Sequence, residues 1–325
     1  MNHRERLEVA LSGEKPDRTP VALWRHFPVD DQNPEDLASA TIDFQHKYDF
    51  DFVKVTPASS FCLKDWGADD VWQGSIEGTR DYTHWVVSRP EDWLELSVLD
   101  PYKGYLSKQL DALGLITKSL GTGTPVIQTI FSPLAQAKNL ASQERLLLHL
   151  RTSPQALHAG LERITESTQQ FIEAAIRTGI AGIFYAVQHA QFGLLSSDEY
   201  GEFGRAYDLR VLEVATDLWL NVLHLHGMDT MFTEVANYPV AVINWHDQET
   251  PPSLNEAKEM FSGLVCGGLR RWEALVVGTP EKVTAEAREA IEATNGHRFI
   301  LGTGCVVPIV APGANLMAAR RSVET

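Results

Sequence analysis

Two histidines separated by one leucine, His224 and His226, stand in the apolar stretch 221–227. This stretch predicts a buried parallel strand, whose side chains alternate between two faces. Both imidazoles therefore point the same way, with Cα atoms about 6.6 Å apart, close enough to bind one metal ion or one substrate group. The glycine at 227 ends the strand and leaves room for a ligand. The alternative is one packed, hydrogen-bonded histidine and one at the rim, and the stretch alone leaves both interpretations open.

A thiol and a third imidazole complete a candidate zinc site. Cys305 and His246 each follow a predicted strand, and zinc prefers imidazole and thiolate ligands. We predict His224, His226 and Cys305 as ligands with His246 as the fourth; if His246 does not bind, an open position is left for a substrate. Zinc there would lower the pKa of an incoming thiol, leaving a thiolate ready to attack a methyl group. The alternative is a polar, water-filled pocket without a metal.

Other polar residues and glycines follow the predicted strands. The Arg25 guanidinium suits a bidentate grip on a carboxylate, or alternatively an ion pair with Asp30 or Asp31. Asp247 either orients the neighbouring imidazole of His246 or caps the following turn. We predict three catalytic residues, Arg25, His189 and Asp247, and three substrate-binding residues, Gln188, Gly267 and Gly268.

Eight apolar stretches, nearly all followed by helical patterns, must position these side chains. The predicted strands are 19–23, 52–55, 126–129, 183–187, 221–227, 240–244, 264–267 and 299–302. This alternation predicts an α/β fold, a (β/α)8 TIM barrel, rather than an open doubly wound sheet. In such barrels the chemistry lies at the carboxyl ends of the strands. Four of the eleven histidines are predicted at that end.

The stretch 66–87 departs from this pattern, because it alternates and is rich in turn residues, with Glu77-Gly78 as the turn. It predicts a Trp-rich hairpin after the second strand. Its tryptophans are expected to cover one barrel end, and they are Trp66, Trp72, Trp85 and Trp93. No internal repeat or Ser/Gly linker divides the chain, so we predict a single domain over 1–325.

Composition narrows the function classes. The chain has 325 residues, 44% of them hydrophobic, and a formal net charge of −15. Phosphate neutralisation needs a basic face, so no nucleic-acid partner is expected. The sequence contains no run of eighteen apolar residues, and its first residues lack the apolar core of a signal peptide, so we expect no membrane association and a cytoplasmic protein. Three scattered cysteines are too few for a disulfide scaffold.

Several segments resemble the uroporphyrinogen decarboxylase superfamily. They are RERL at 4–7, KPDRTPV at 15–21, LSSDEY at 195–200, VINW at 242–245 and GTGC at 302–305. The resemblance runs nearly end to end and implies a (β/α)8 barrel. It also implies one of two functions: decarboxylation in haem (porphyrin) synthesis without a cofactor, or zinc-dependent methyl transfer between corrinoid proteins and a thiol such as coenzyme M.

The decarboxylase branch matches this chain poorly at its site. Arg25 matches the first of two arginines in the first-strand motif, while the second falls near Val29, and the aspartate expected after strand two is absent from 56–60. The remaining departures are Asn139 for a tyrosine, Ala190 for a serine and Cys305 for a histidine.

The methyltransferase branch matches better. Its zinc motif is His-x-Cys on strand five with a cysteine after strand eight; here His224 and Cys305 match and His226 replaces the first cysteine, an exchange that zinc tolerates. The resemblance therefore implies a metal-dependent methyl or one-carbon transferase working with a corrinoid carried by a partner protein or with a small thiol. Two alternatives stay open, a porphyrinogen-type decarboxylase and a non-catalytic tetrapyrrole- or corrinoid-binding protein. The sequence is also compatible with a homodimer.

Overall fold

A computed structural model describes residues 1–324 of this chain. In chain order its strands are β1 (Val53–Val55), β2 (Asp69–Val71), β3 (Asp81–His84), β4 (Val126–Phe131), β5 (Gly182–Val187), β6 (Val222–Leu225), β7 (Val242–Trp245), β8 (Leu264–Leu269) and β9 (Phe299–Thr303). Its helices are α1 (His3–Leu11), α2 (Pro34–Tyr48), α3 (Gly104–Leu120), α4 (Pro133–Ala141), α5 (Gln143–Thr152), α6 (Pro154–Ile176), α7 (Ser197–Tyr200), α8 (Ala206–Glu213), α9 (Phe232–Val235), α10 (Leu254–Met260), α11 (Pro280–Thr294) and α12 (Gly313–Arg321).

Seven strands form one parallel sheet that curls into a half-barrel in the order β1, β4, β5, β6, β7, β8, β9. The sequence predictions for these seven strands are confirmed, with ends that differ by at most two residues. Side chains that alternate along these strands face two packed layers. The inner layer contains Val222, Val242 and Leu264, and α1 closes one end of it with Leu7.

The predicted strand 19–23 is reduced to a single bridge between the two outer strands. Val21 pairs in parallel with Leu301 of β9, and its carbonyl accepts a hydrogen bond from the backbone of Asp51 at 2.9 Å. The preceding Pro20 carries no N–H group, so this segment cannot continue a ladder in that direction. The prediction of eight full strands is therefore corrected to seven strands and this bridging segment.

Local sequence signals set the helix boundaries. Asn33 caps α2 through its side chain, with proline at the first helical position, as the cap-then-proline order predicts. Ser196 and Ser253 each stand three residues before a glutamate, a spacing that predicts a capping box, and both capping boxes are present. Within residues 1–324, none of the helices combines the length and the apolar character that crossing a membrane needs.

Two helices, α4 and α5, follow β4 directly. Ser132 caps α4 by accepting a hydrogen bond from the backbone of Ala135 at 3.3 Å. Ser142 ends it with a φ of +83° and caps α5 in turn. These two helices bring Lys138 and Gln143 to the carboxyl end of the sheet.

The turn-rich stretch after β1 contains an antiparallel pair, β2 with β3. The predicted cover made by its tryptophans is not confirmed. Trp93 is fully buried beside His149, to which its indole N–H donates at 3.0 Å, whereas Trp85 is exposed. We call residues 69–84 the hairpin.

Candidate functional site

A cavity of about 400 Å³ opens at the carboxyl ends of the strands. Its walls come from the ends of β1, β4, β5 and β6, from α4 and α5, and from the loop after β9, while the hairpin forms its roof. Of the residues predicted as ligands, His224, His226 and Cys305 line this cavity. The carboxyl-end location that the sequence predicts for the chemistry agrees with this placement.

His224 lies on the inward face of β6 and its ring is held on two sides. The ring stacks on Phe184, with centroids 5.2 Å apart, and its Nδ1 lies 2.7 Å from the side-chain oxygen of Asn244. The Asn244 amide nitrogen donates to two backbone carbonyls, of Cys266 and Thr303, each at 2.9 Å. Because that nitrogen is engaged, the amide oxygen must face His224, so Nδ1 carries the hydrogen and Nε2 keeps a free lone pair.

His246 follows β7 and presents a second free nitrogen. It is 5% exposed, and its Nδ1 lies 3.2 Å from a carboxylate oxygen of Glu249. Its Nε2 is buried and has no hydrogen-bond partner among residues 1–324. A buried ring nitrogen without a partner is costly unless something binds it.

His226 and Cys305 complete the group. His226 follows β6 on the same face as His224, is partly exposed, and places its Nδ1 3.7 Å from the Cys305 sulfur. One donor atom from each of His224, His226, His246 and Cys305 lies within 4.8 Å of all the others. We call these four residues the donor cluster.

The charge state of the donor cluster suits metal binding. Burial raises the pKa of the Cys305 thiol, but the imidazoles of His224, His226 and His246 around it outweigh burial and bring that pKa well below its ordinary value of 9.0. Burial lowers the pKa of His246, but the neighbouring Cys305 sulfur and Glu249 carboxylate raise it by more, so the net shift is upward. A lowered pKa favours the thiolate form that binds metals, and a thiolate with three imidazoles is a donor set that zinc prefers.

Two more predicted residues, His189 and Gln188, line the same cavity. His189 is 1% exposed, and its Nε2 lies 3.3 Å from the Gln143 side-chain oxygen. Burial, followed by the charges of Lys138 and His226, lowers its pKa to about 3. His189 is therefore neutral at physiological pH.

Arg25 lies outside the set of cavity-lining residues. Its guanidinium packs over the rings of Phe27 and Phe44, 5.1 and 5.6 Å from their centroids. Within residues 1–324 it forms no salt bridge, and Asp31 pairs instead with Arg80 at 3.1 Å. The alternative ion pair with Asp30 or Asp31 is therefore not formed in this part of the chain, and contact with a substrate carboxylate stays a prediction.

Asp247 also lies apart from the donor cluster. One of its carboxylate oxygens accepts a hydrogen bond from the backbone N–H of Gly268 at 2.9 Å, and the other lies 2.4 Å from where a Cβ on Gly267 would be. At Gly268, a Cβ would meet Ala290 at 2.6 Å. The two glycines thus make room for neighbouring side chains, and Glu249, not Asp247, contacts His246.

Two lysines at the cavity, buried Lys54 and partly buried Lys138, were not identified from the sequence. Lys54 of β1 is 7% exposed, lies 4.5 Å from the Phe184 ring centroid, and donates to the Thr56 hydroxyl at 3.2 Å. Burial lowers its pKa to about 7 and also lowers that of Lys138 on α4. Neither lysine has a carboxylate within ion-pair distance in the part of the chain that the structure describes. The sequence does contain a signal for Lys54, because it is the one charged residue within the apolar stretch 52–55.

Comparisons with known proteins agree with this architecture. A family model described as Uroporphyrinogen decarboxylase (URO-D) matches residues 2–325. A uroporphyrinogen decarboxylase from Chlorobaculum parvum is 24% identical over 226 residues, which cover 63% of this chain and 61% of that protein. A methylated-thiol–coenzyme M methyltransferase from Methanosarcina mazei is 24% identical over 310 residues, which cover 93% and 79%.

The fold comparison points the same way. A solved structure of a methyltransferase from Methanosarcina mazei superimposes with a TM-score of 0.87 at 19% identity, covering 100% of this chain and 98% of that one. The chain spans less than two thirds of the length of the decarboxylase it matches, 61%, so reaction and substrate do not transfer from it. Family membership does follow, because the family model matches nearly every residue: the chain belongs to the uroporphyrinogen decarboxylase (URO-D) family.

Proposed function

We propose that this chain is a metal-dependent methyl or other one-carbon transferase, with zinc bound by His224, His226, His246 and Cys305. The observation that carries the proposal is the meeting of four donor atoms within 4.8 Å of one another at the cavity. Three of the four residues are buried, and their elements, β6, β7 and β9, are separated by long stretches of chain. Such convergence of imidazoles and a thiolate is typical of zinc sites.

The surroundings of the donor cluster support a preorganised metal site. Asn244 fixes the tautomer of His224 at 2.7 Å, and Glu249 contacts the ring nitrogen of His246 that faces away from the cluster at 3.2 Å. Hydrogen bonds of this kind orient the ligands of metal sites and tune their basicity. A bound zinc ion would supply Lewis acidity, lowering the pKa of a thiol that approaches from the cavity.

The cavity wall favours a small substrate with an anionic group. Lys54 is buried and Lys138 is partly buried, neither with a carboxylate partner among residues 1–324, and a buried charge needs a compensating charge. We infer that they bind an acidic group of the substrate while its reacting atom lies at the donor cluster. Neutral His189 and the Gln143 amide lie on the same wall and supply further hydrogen-bonding groups.

The size of the cavity limits what reacts inside it. About 400 Å³ accommodates a small molecule and not a corrinoid carried by a protein. We infer that a corrinoid partner would present its methyl group at the cavity mouth, with the small acceptor held inside. The hairpin covers the cavity and restricts water there.

A second candidate is decarboxylation, favoured by the relatives named as uroporphyrinogen decarboxylases and by the two lysines, which suit carboxylates. It leaves the donor cluster without a role. Incubation with uroporphyrinogen tests it, because a decarboxylase would release partially decarboxylated products. A non-catalytic tetrapyrrole binder would instead bind its ligand equally well after Cys305→Ser and His224→Ala.

Metal analysis tests the favoured proposal. We expect about one zinc ion per chain in the purified protein, lost in His224→Ala and in Cys305→Ser. His46→Ala is the matched control, because His46 is exposed on α2, away from the cavity. Methyl transfer from free methylcobalamin to a panel of small acidic thiols should stop when zinc is stripped and return when it is restored. A zinc-free preparation that keeps full transfer would exclude the proposal.

A further inference from the structure

Arg271 lies between the hairpin and the donor cluster. It follows β8 by two residues and is 7% exposed, which is unusual for an arginine. Its guanidinium contacts three separate parts of the chain, through Glu77, Val306 and Glu249. A buried guanidinium with this many contacts fixes the relative placement of the segments it joins.

The first contact is with the roof of the cavity. Arg271 Nη1 donates to a carboxylate oxygen of Glu77, in the loop between β2 and β3, at 3.1 Å. The backbone N–H of Ile309 donates to the carbonyl of neighbouring Ile76 at 2.8 Å. Within the described chain, these bonds hold the tip of the hairpin to the barrel end near Cys305.

The other two contacts reach residues that adjoin the donor cluster. Nη1 also donates to the backbone carbonyl of Val306, next to Cys305, at 3.2 Å. Arg271 Nε lies 3.7 Å from one oxygen of Glu249, whose other oxygen lies 3.2 Å from His246 Nδ1. Two of the four donor residues are therefore one contact away from Arg271.

The geometry points to Arg271 as a positioning residue that couples closure of the hairpin over the cavity to the placement of Cys305 and His246. The inference rests on the proposed metal-dependent function. Its Nε has no hydrogen-bond partner in residues 1–324. When the hairpin opens, Glu77 moves away and Arg271 loses this contact. The guanidinium can then move closer to Glu249, which lies 3.7 Å away, and so change the contact between Glu249 and His246.

Coupling of this kind acts in both directions. If hairpin closure favours the metal-binding arrangement, then metal binding favours hairpin closure by the same factor. A coupling of about fivefold or more lies in the range measured for linked sites. The consequence is that substrate entry and the ligand geometry of the metal are linked through one side chain.

Hydrogen exchange of residues 69–84, measured with and without saturating Zn²⁺, tests the coupling. In the unaltered protein we expect Zn²⁺ to slow exchange there about fivefold or more. In Arg271→Met that effect should disappear, and the affinity for Zn²⁺, measured against a chromophoric chelator, should fall about 10- to 100-fold. Arg271→Lys keeps the positive charge but lacks the forked guanidinium, so it should restore part of the effect on exchange and part of the Zn²⁺ affinity. The lysine variant also provides the test if the methionine variant does not fold.

Two further variants separate coupling from general loss of structure. Glu77→Gln should lose the effect of Zn²⁺ on the hairpin while changing Zn²⁺ affinity much less than Arg271→Met does. Arg270→Gln is the matched control, because Arg270 is exposed and pairs with Glu286 at 3.3 Å, on the other side of β8. It should behave as the unaltered protein in both measurements.

A measurement without metal distinguishes failure of this inference from failure of the proposed function. In metal-free protein, iodoacetamide should modify Cys305 about fivefold faster in Arg271→Met and Glu77→Gln than in the unaltered protein. If the protein binds no zinc, this rate alone decides the coupling. The inference is overturned by equal rates in these variants, or by Zn²⁺ that binds without changing exchange of the hairpin.

Discussion

Asn244→Ala provides a sharp test of how the donor cluster is built. The side chain is fully buried and makes three hydrogen bonds, one to His224 at 2.7 Å and two to backbone carbonyls at 2.9 Å. Alanine leaves the His224 N–H and both carbonyls without this partner. At about 1 kcal/mol for each lost bond, the free energy of unfolding should fall by roughly 3 kcal/mol.

The same substitution should also weaken metal binding. Without the amide oxygen, His224 is free to change tautomer and to rotate, so Nε2 no longer faces the cluster as a fixed lone pair. Removing such a partner typically lowers metal affinity about 10- to 100-fold. Zn²⁺ affinity is measured by competition with a chromophoric chelator, and stability by denaturant unfolding of the metal-free protein.

Asn221→Ala is the matched control. Asn221 is also buried and also makes three hydrogen bonds, to Ile183 N at 3.1 Å and to the carbonyls of Ala215 and Leu218 at 2.7 and 3.3 Å. It lies at the amino end of β6, three residues before His224. Its loss should lower stability by a similar amount and leave Zn²⁺ affinity unchanged. Equal Zn²⁺ affinity in Asn244→Ala and the unaltered protein, or equal losses in both variants, would refute the reasoning.

Three further predictions concern the cavity and its surroundings. Lys54→Met should raise the free energy of unfolding at pH 7 by about 1–4 kcal/mol, because it removes an unpaired buried charge, and should raise KM for anionic substrates. Because the folded-state pKa of Lys54 is about 7, below its ordinary 10.5, the burial cost is fully present below pH 7. Stability of the unaltered protein should therefore rise between pH 7 and 10.5 through this group, and denaturation across that range should show a smaller rise in the variant. In metal-free protein, iodoacetamide should modify Cys305 at pH values well below 9.0, while the other two thiols, whose pKa burial raises, stay unmodified in a peptide mass map. Gly267→Ala should destabilise by about 1–3 kcal/mol, because its Cβ would lie 2.4 Å from a carboxylate oxygen, without changing Zn²⁺ affinity; an altered affinity would restore a binding role to this position.

Local patterns determined much of the architecture. Short apolar stretches alternating with amphipathic helices predicted seven strands of the sheet, and cap residues such as Asn33 and Ser253 predicted helix starts. These signals depend on neighbours within about four residues, so no tertiary information is needed. The prediction of a strand at 19–23 was wrong because pairing depends on which strand lies beside the segment, and Pro20 limits that pairing.

The donor residues were accessible to sequence reasoning for a related physical reason. The two-residue period of a strand places His224 and His226 on one face, and parallel strands bring their carboxyl ends together, which is where His246 and Cys305 follow. The hydrogen-bond partners of these residues could not be predicted from the sequence. Asp247, the neighbour in sequence, turns toward Gly268, and Glu249, two residues further on, contacts His246.

The sequence by itself thus determined the fold family, the end of the sheet at which the cavity and the donor cluster lie, and the residue types of that cluster, since each follows from strand period, helix caps and residue type. Only the tertiary structure decided that Asn244 and Glu249 hold the histidines, that Lys54 and Lys138 line the cavity without carboxylate partners, and that Arg271 joins the hairpin to the cluster. Those contacts join elements far apart in the chain. Their geometry depends on how loops of irregular conformation pack on the barrel end, and no local periodicity records that packing.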